Sequence, residues 1–460
     1  MSRVRVLIVA LFATLALVLS ACGSSSPATT TPTNISAVPV GTSAPATGTS
    51  AAPAGTSAAP AGTSAAPTTG SRVITIGYTA SLSGKLNVES VRQQNGLKLW
   101  VEQVNAAGGI KLANGTTITF ATKSYDDESN KDRVQELYTR LATQDNADFL
   151  VSPYSSGLAD AAAVIAEQYN KIMITTGAAD DATYKKGYTL VYQLYTPASR
   201  YLNGAVDLLA QQDPSVKKLA IVYENDKFST SVVEAVKAYA QSKGYEIVLF
   251  EGYDTGTSDF APFINKIMQA KPEAILGGGH FQDGSTFAKQ LFEKRVPVKF
   301  LALLVAPPEP TFGDLGEAAL GTVGPSQWEP QASFNQAAAT KLGLAWLGPD
   351  SAAFVAAYRQ AYNEDPSYHA AGGYAAGLIL QHAIERAGSV EVAAVKKALD
   401  ETKLLTFYGN IAFDTTAEAH GLQTGHEMVY VQWQGDTTKR VKQIVWPADA
   451  VTAKLLYPMR

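Results

Sequence analysis

The residues able to do chemistry in this chain are few and poorly grouped. Five histidines, His280, His369, His382, His420 and His426, are scattered along it. No two stand at the i, i+4 spacing that would set both rings on one helical face as metal ligands. They read as core or surface histidines, with His280 kept as a cleft candidate because it follows Gly277-Gly278-Gly279. Gly77 and Gly84-Lys85 fail as a phosphate loop: the spacing differs, and Leu86 stands where a Ser or Thr would hold magnesium. No serine sits in a nucleophile elbow. The run Asp126-Asp127-Glu128 follows a strand pattern. It reads as a solvated loop or as the cap of a helix from Asn130 to Thr143, with a cation seat as the alternative. No catalytic residue, metal ligand set or cofactor motif is therefore assigned, and no enzyme is expected.

Charge and cysteine count exclude more. There are 37 Lys+Arg against 41 Asp+Glu in 460 residues, a formal charge of −4. A nucleic-acid partner bound by phosphate neutralisation is not expected. The one cysteine excludes an internal disulfide and a cysteine-based zinc site. That residue, Cys22, ends Leu19-Ser20-Ala21-Cys22, after Arg3, Arg5 and the apolar run from Val6 to Leu19. The run is short for a membrane span and suits a secretory leader. The four residues at its end look like a bacterial lipobox, in which the thiol carries a diacylglycerol. Residues 1–21 are predicted to be a signal peptide, and Cys22 the site of lipidation on the extracytoplasmic face of the cell membrane. Residues 22–71 form an Ala/Thr/Ser/Pro/Gly spacer in which Gly41, Gly48, Gly55 and Gly62 each begin a seven-residue phrase. With so little to bury it is predicted to be disordered, spanning roughly 40 Å root-mean-square.

Beyond the spacer, strand and helix patterns alternate. Strands are predicted at Val73–Ala80, Thr117–Tyr125, Phe149–Ser152 and Lys171–Thr175, with helices at Val91–Val104, Lys131–Thr143 and Gly157–Tyr169. The rhythm restarts with strands near Leu219, Glu246, Glu273 and Lys299. Helices return at Ser351–Tyr362, Gly372–Ala387 and Val390–Thr402, and a strand at Glu427–Trp433. These βα units predict two parallel-sheet lobes. One comprises 72–197 and 326–428, the other 198–325 and 429–460. Their binding residues belong at the C-terminal strand ends, and a cleft forms where those ends face each other.

Several motifs occur in order: Ile76-Gly-Tyr-Thr-Ala-Ser-Leu-Ser-Gly84, Asn105-Ala-Ala-Gly-Gly-Ile110, Tyr125-Asp-Asp127, Ser152-Pro-Tyr-Ser-Ser156 and Thr175-Thr-Gly-Ala178. The chain resembles the leucine/isoleucine/valine-binding family over about residues 73–435. The resemblance implies an α/β, type I periplasmic-binding fold: two Rossmann-like, doubly wound lobes joined by a three-crossover hinge, with crossings near Tyr195–Ser199, Val323–Trp328 and His426–Val431. It implies an extracytoplasmic solute-binding component of an ABC importer. The expected ligand is amino-acid-like, and the expected partners are permease and ATPase subunits, a membrane through the lipid anchor, and no second copy.

The resemblance also implies a site. Ser155 faces the ligand carboxylate, flanked by Tyr154 and Ser156, while Gly177, Ala178 and Ala179 border it after the next strand. Phe228 stands where relatives often have a Tyr from the second lobe. His280, Phe281 and Asp283 follow the glycine run, and Ser83 and Glu89 belong to the first loop, where an aromatic often covers the ligand. Two departures matter. Relatives commonly have Thr at the position of Ala179 and an acidic residue after the strand ending Leu303-Leu304-Val305. The partner of a ligand ammonium is left open among Asp283, Glu89 and Glu309, or no ammonium is bound. Ser155 also reads as the N-cap of the helix from Gly157, a role compatible with anion binding. A sensory module that signals its closed state to a receptor or kinase is the alternative function, because fold alone does not separate the two.

Overall fold

The structure, a computed structural model, describes residues 70–332 and 334–459. The predicted leader, Cys22 and nearly all of the predicted spacer lie outside the described residues. Among the described residues no helix is long and apolar enough to cross a membrane.

The first sheet contains β1 (Ser71–Ala80), β2 (Ile110–Lys111), β3 (Thr117–Asp126), β4 (Phe149–Val151), β5 (Met173–Thr175) and β6 (Val191–Gln193), in the order β2-β3-β1-β4-β5-β6. All neighbours pair in parallel except the short β2. The second sheet begins with β7 (Lys218–Glu224), β8 (Glu246–Tyr253), β9 (Ala274–Gly278), β10 (Phe300–Leu303) and β11 (Val323–Ser326). A small third sheet follows, built from β12 (Ala345–Trp346), β13 (Lys403–Thr406) and β14 (Gly409–Ala412). The chain then rejoins the second sheet with β15 (Val429–Gly435) and β16 (Arg440–Trp446), whose order is β16-β15-β11-β10-β9-β7-β8. The helices in chain order are α1 (Asn87–Ala106), α2 (Lys131–Thr143), α3 (Ser156–Gln168), α4 (Asn203–Gln212), α5 (Lys227–Ser242), α6 (Ala261–Ala270), α7 (Phe281–Glu293), α8 (Gln336–Leu342), α9 (Ser351–Tyr362), α10 (Tyr368–Ala387) and α11 (Val392–Asp400).

Both sheets are covered on both faces, as parallel sheets require. On the first, Ile74, Ile76 and Tyr78 pack with Leu97, Trp100 and Val104 of α1, while Leu150 and Met173 pack on the other side with Val134, Leu141 and Leu158 of α2 and α3. On the second, Leu219 and Ile221 meet Val232 and Val236 of α5, and Ala220 and Val222 meet Ile264 and Phe287 of α6 and α7. Asn130 caps α2, its side chain accepting from the backbone N–H of Asp132 at 2.9 Å and Arg133 at 3.1 Å.

The late helices return to the first lobe, where α10 lies along α1. Glycine permits this approach. A Cβ on Gly96 would stand 1.9 Å from the carbonyl oxygen of Ala370, and one on Gly373 would stand 1.9 Å from that of Gln93.

The three segments that cross between lobes are bonded to one another. The Thr196 N–H donates to Gln327 Oε1 at 2.9 Å, and the Thr196 hydroxyl donates to the His426 carbonyl at 3.2 Å. His426 Nε2 lies 2.9 Å from the Gln327 carbonyl oxygen.

Three expectations need correction. The first strand already includes Ser71 and Arg72, because both pair with β3. Helix α1 starts at Asn87, so Glu89 lies in its first turn and not in a loop. Asp127 is no solvated loop residue: it is fully buried and accepts 2.6 Å bonds from the hydroxyls of Thr79 and Ser81, tying β3 to the end of β1.

Candidate functional site

The C-terminal strand ends of the two lobes face each other. From the first lobe, the turn from β4 into α3 carries Tyr154 and Ser155, and the turn after β5 carries Gly177 and Ala179. The first turn of α5, which follows β7, contributes Phe228, the turn after β9 contributes His280, and the segment after β10 contributes Val305. Tyr195, Tyr201, Tyr368 and His369 complete the lining. The space between them is about 10 Å³, the room of a single water.

Ser155 holds φ at +84°, a left-handed conformation that is costly for a residue with a side chain. Its N–H donates to the Gly177 carbonyl at 3.1 Å, and its hydroxyl accepts from the Leu158 N–H at 3.4 Å as the N-cap of α3. The Ser156 hydroxyl accepts from the N–H groups of Ala179 at 3.0 Å and Asp180 at 3.1 Å. The two serines thus lock the α3 N-terminus against the β5 turn, aiming the helix dipole at the cavity.

Polar contacts close the lobes around this point. The Tyr154 hydroxyl is 2.9 Å from His280 Nδ1. Glu89 accepts from the Phe281 N–H at 2.8 Å. Arg92 of α1 pairs with Glu309 of the second lobe, which also meets His369 Nδ1 of α10. Lys85 pairs with Glu224, and Lys227 reaches Asp180 at 3.1 Å. Burial would raise the Glu309 pKa, but His369 and Arg92 outweigh it and hold the carboxyl at about 2. Burial pulls the other way on His280, and the carboxylates of Asp226, Glu224 and Glu89 overcome it, raising the imidazole to about 9.

The predicted residues divide accordingly. Tyr154, Ser155, Gly177, Ala179, Phe228 and His280 line the cavity. Ser156 and Ala178 stand just behind it, the Ala178 carbonyl accepting from Gln193 at 3.3 Å. Ser83 is exposed and bonds Asp126 at 3.1 Å. The Phe281 ring packs with the apolar core of the second lobe. Asp283 closes a capping box on α7 by accepting from the His280 N–H at 2.8 Å, and it accepts from the Tyr253 hydroxyl as well. Sequence reasoning missed His369, which reads as a core or surface histidine, and also Tyr195, Tyr201, Tyr368, Val305 and Arg92. No motif marks them, because α1, α10, the segment after β10 and the crossing segments meet at the cleft only through the tertiary fold.

With this geometry in view, the chain compares closely with known proteins. It is 25% identical over 370 residues to the leucine-, isoleucine-, valine-, threonine- and alanine-binding protein of Pseudomonas aeruginosa, covering 80% of this chain and 91% of that one. Its fold matches the branched-chain amino acid transporter substrate-binding protein LivJ from Streptococcus pneumoniae, solved with isoleucine, at a TM-score of 0.67, with 22% identity, 82% of this chain and 100% of that chain covered. It also matches a solute-binding protein of an ABC transporter from R. palustris, solved with benzoate, at a TM-score of 0.66, with 20% identity, 84% of this chain and 100% of that chain covered. Residues 73–439 match the periplasmic binding protein family, and the chain belongs to that family.

Proposed function

We propose that the chain is the solute-binding lipoprotein of an ABC importer, tethered by Cys22 and handing a small carboxylate-bearing solute to permease and ATPase subunits. The observation that carries this is the α3 N-terminus, held by Ser155 and Ser156 and directed at the closure point of two hinged lobes. Backbone N–H groups there suit a carboxylate. Tyr154, Tyr195, Tyr201, Phe228 and Tyr368 suit an apolar or aromatic body. Amino acids and benzoate, the solutes named with the relatives above, share that carboxylate.

The cavity is far smaller than such a solute, so capture begins with opening about the Thr196, Gln327 and His426 crossings. Of the three carboxylates considered for a ligand ammonium, Glu309 is taken by Arg92 and His369, and Asp283 by its capping box and Tyr253. Glu89 keeps one buried oxygen, Oε2, without a hydrogen-bond partner, and it is the group that would receive an ammonium.

Titration calorimetry of unfolded and refolded protein, freed of carried-over solute, against amino acids, their amides and aromatic carboxylates tests the reading. Binding of a carboxylate but not of its amide supports it. Failure of every solute to bind correctly folded protein overturns it. Mass spectrometry of the membrane fraction, with Cys22→Ala as control, tests the anchor.

A further inference from the structure

We propose that Glu224, Asp226 and His280 form a zinc-type divalent-cation site on the second lobe, beside the solute cavity. Glu224 ends β7, Asp226 caps α5, and His280 precedes α7 after β9. The parallel sheet sets β7 beside β9, which brings the three side chains to one strand-end corner. Their ligand atoms all lie within 4.8 Å of one another. His280 Nε2 is 3.0 Å from Asp226 Oδ2 and 3.9 Å from Glu224 Oε2. Ligands on a tetrahedral ion with bonds of about 2.0–2.2 Å stand roughly 3.3–3.6 Å apart, so small side-chain shifts complete the shell.

Three further features point to a cation. Glu224 is 1% exposed, and its Oε2 has no hydrogen-bond partner while facing the imidazole. A bare carboxylate oxygen in that setting is costly. Tyr154 engages His280 Nδ1, which fixes the ring with Nε2 toward the carboxylates, as the outer partners of metal-bound histidines do. Charge is also unbalanced here. Glu89, Glu224, Asp226 and Asp283 surround an imidazole whose near cationic neighbour is Lys85. A dication among these carboxylates reduces that imbalance.

Lys85 and Thr255 occupy Glu224 Oε1, and Ser229 bonds Asp226 Oδ1, which leaves Glu224 Oε2 unpartnered and Asp226 Oδ2 facing His280 Nε2, the contact an ion would bridge. A cavity of about 140 Å³ borders Glu224 and His280 and leaves room for a water as fourth ligand. One imidazole with two carboxylates favours zinc, nickel or copper over calcium or magnesium, which prefer all-oxygen shells.

The test uses the full chain, stripped with chelator and free of solute, so its outcome is separate from solute identity. Zn²⁺ is titrated by calorimetry and Co²⁺ by visible absorption. The expected result is one bound ion, a tetrahedral cobalt spectrum, and affinity lowered about 100-fold or more in Glu224→Gln and His280→Gln. Asp226→Asn keeps an α5 cap while removing a charged ligand, so it reports on the site if the buried variants fail to fold. Absence of Zn²⁺ binding by the wild type overturns the proposal. So does wild-type affinity retained in Asp226→Asn and Glu224→Gln, which would place the ion elsewhere.

Discussion

Tyr154 of the first lobe and His280 of the second are joined by a 2.9 Å hydrogen bond at the centre of the cleft, and the tyrosine ring also stands edge-on to His369, with centroids 4.9 Å apart. On the proposed reading, this contact occupies the space a solute would need. A solute would then enter by replacing protein–protein contacts, and its apparent affinity would be reduced by the fraction of protein held closed.

Removing that contact should favour the open form. Tyr154→Phe leaves His280 Nδ1 without its partner, a loss of about 1–3 kcal/mol at a buried polar group. Small-angle scattering of solute-free protein should show a larger radius of gyration than the wild type; an unchanged radius would refute the role.

The Arg92–Glu309 pair should matter far more than the Lys227 pairs. Arg92 and Glu309 have side chains 8% and 0% exposed, whereas the Lys227 side chain is 31% exposed. Arg92→Met leaves Glu309 buried with His369 as its remaining ion-pair partner and should cost about 3–5 kcal/mol. Lys227→Met leaves Asp180, 5% exposed, without its cation, but the pair opens to solvent through Lys227 and should cost less, about 1–2 kcal/mol. Urea unfolding of both variants checks the order.

Acid should loosen the hinge. Burial lowers the His426 pKa to about 4, although its bond to the Gln327 carbonyl opposes the shift. The ring is stacked on Tyr408 at 4.7 Å and is neutral in the folded chain. Unfolded histidine binds its proton near pH 6.5, so the unfolded state holds more protons between about pH 6.5 and 4. Stability is then fully present above that window and falls as pH drops through it, by roughly 3 kcal/mol. His382, lowered to about 4 chiefly by burial, acts over the same window. Melting temperatures of His426→Asn should fall less steeply than those of the wild type between pH 6.5 and 4.

Strain at Ser155 should separate stability from binding. Glycine adopts φ of +84° at little cost and is a tolerable N-cap, so Ser155→Gly should raise stability by about 1 kcal/mol. It should also weaken solute binding through loss of the hydroxyl. Paired melting and calorimetry decide this; a variant that is both less stable and unaltered in binding contradicts both halves.

Gly96→Ala should act at a distance. The added methyl meets backbone of α10 at 1.9 Å, which no rotamer relieves. Separation of the helices should cost about 3 kcal/mol or more. It should also weaken solute binding, because α1 carries Arg92 and α10 carries His369. Denaturant unfolding and calorimetry give the two readouts.

Periodicity alone exposed the alternation of strands and helices, since burial on both faces of a parallel sheet imposes it on the residues. Ser155 was legible as a helix cap from local spacing. The seat of α10 on Gly96 of α1 left no mark in the sequence. Short pieces such as β6, β12 and β14 carried too few residues to show a period. Tertiary structure alone decided the pairing of Arg92 with Glu309, 217 positions away, and the meeting of Tyr154, His280 and His369 at one point. It also turned Asp127 from an apparent surface acid into a buried strut and set Glu224 beside His280. Local spacing governs hydrogen bonds within an element, but burial and charge partners depend on which distant elements are folded against it.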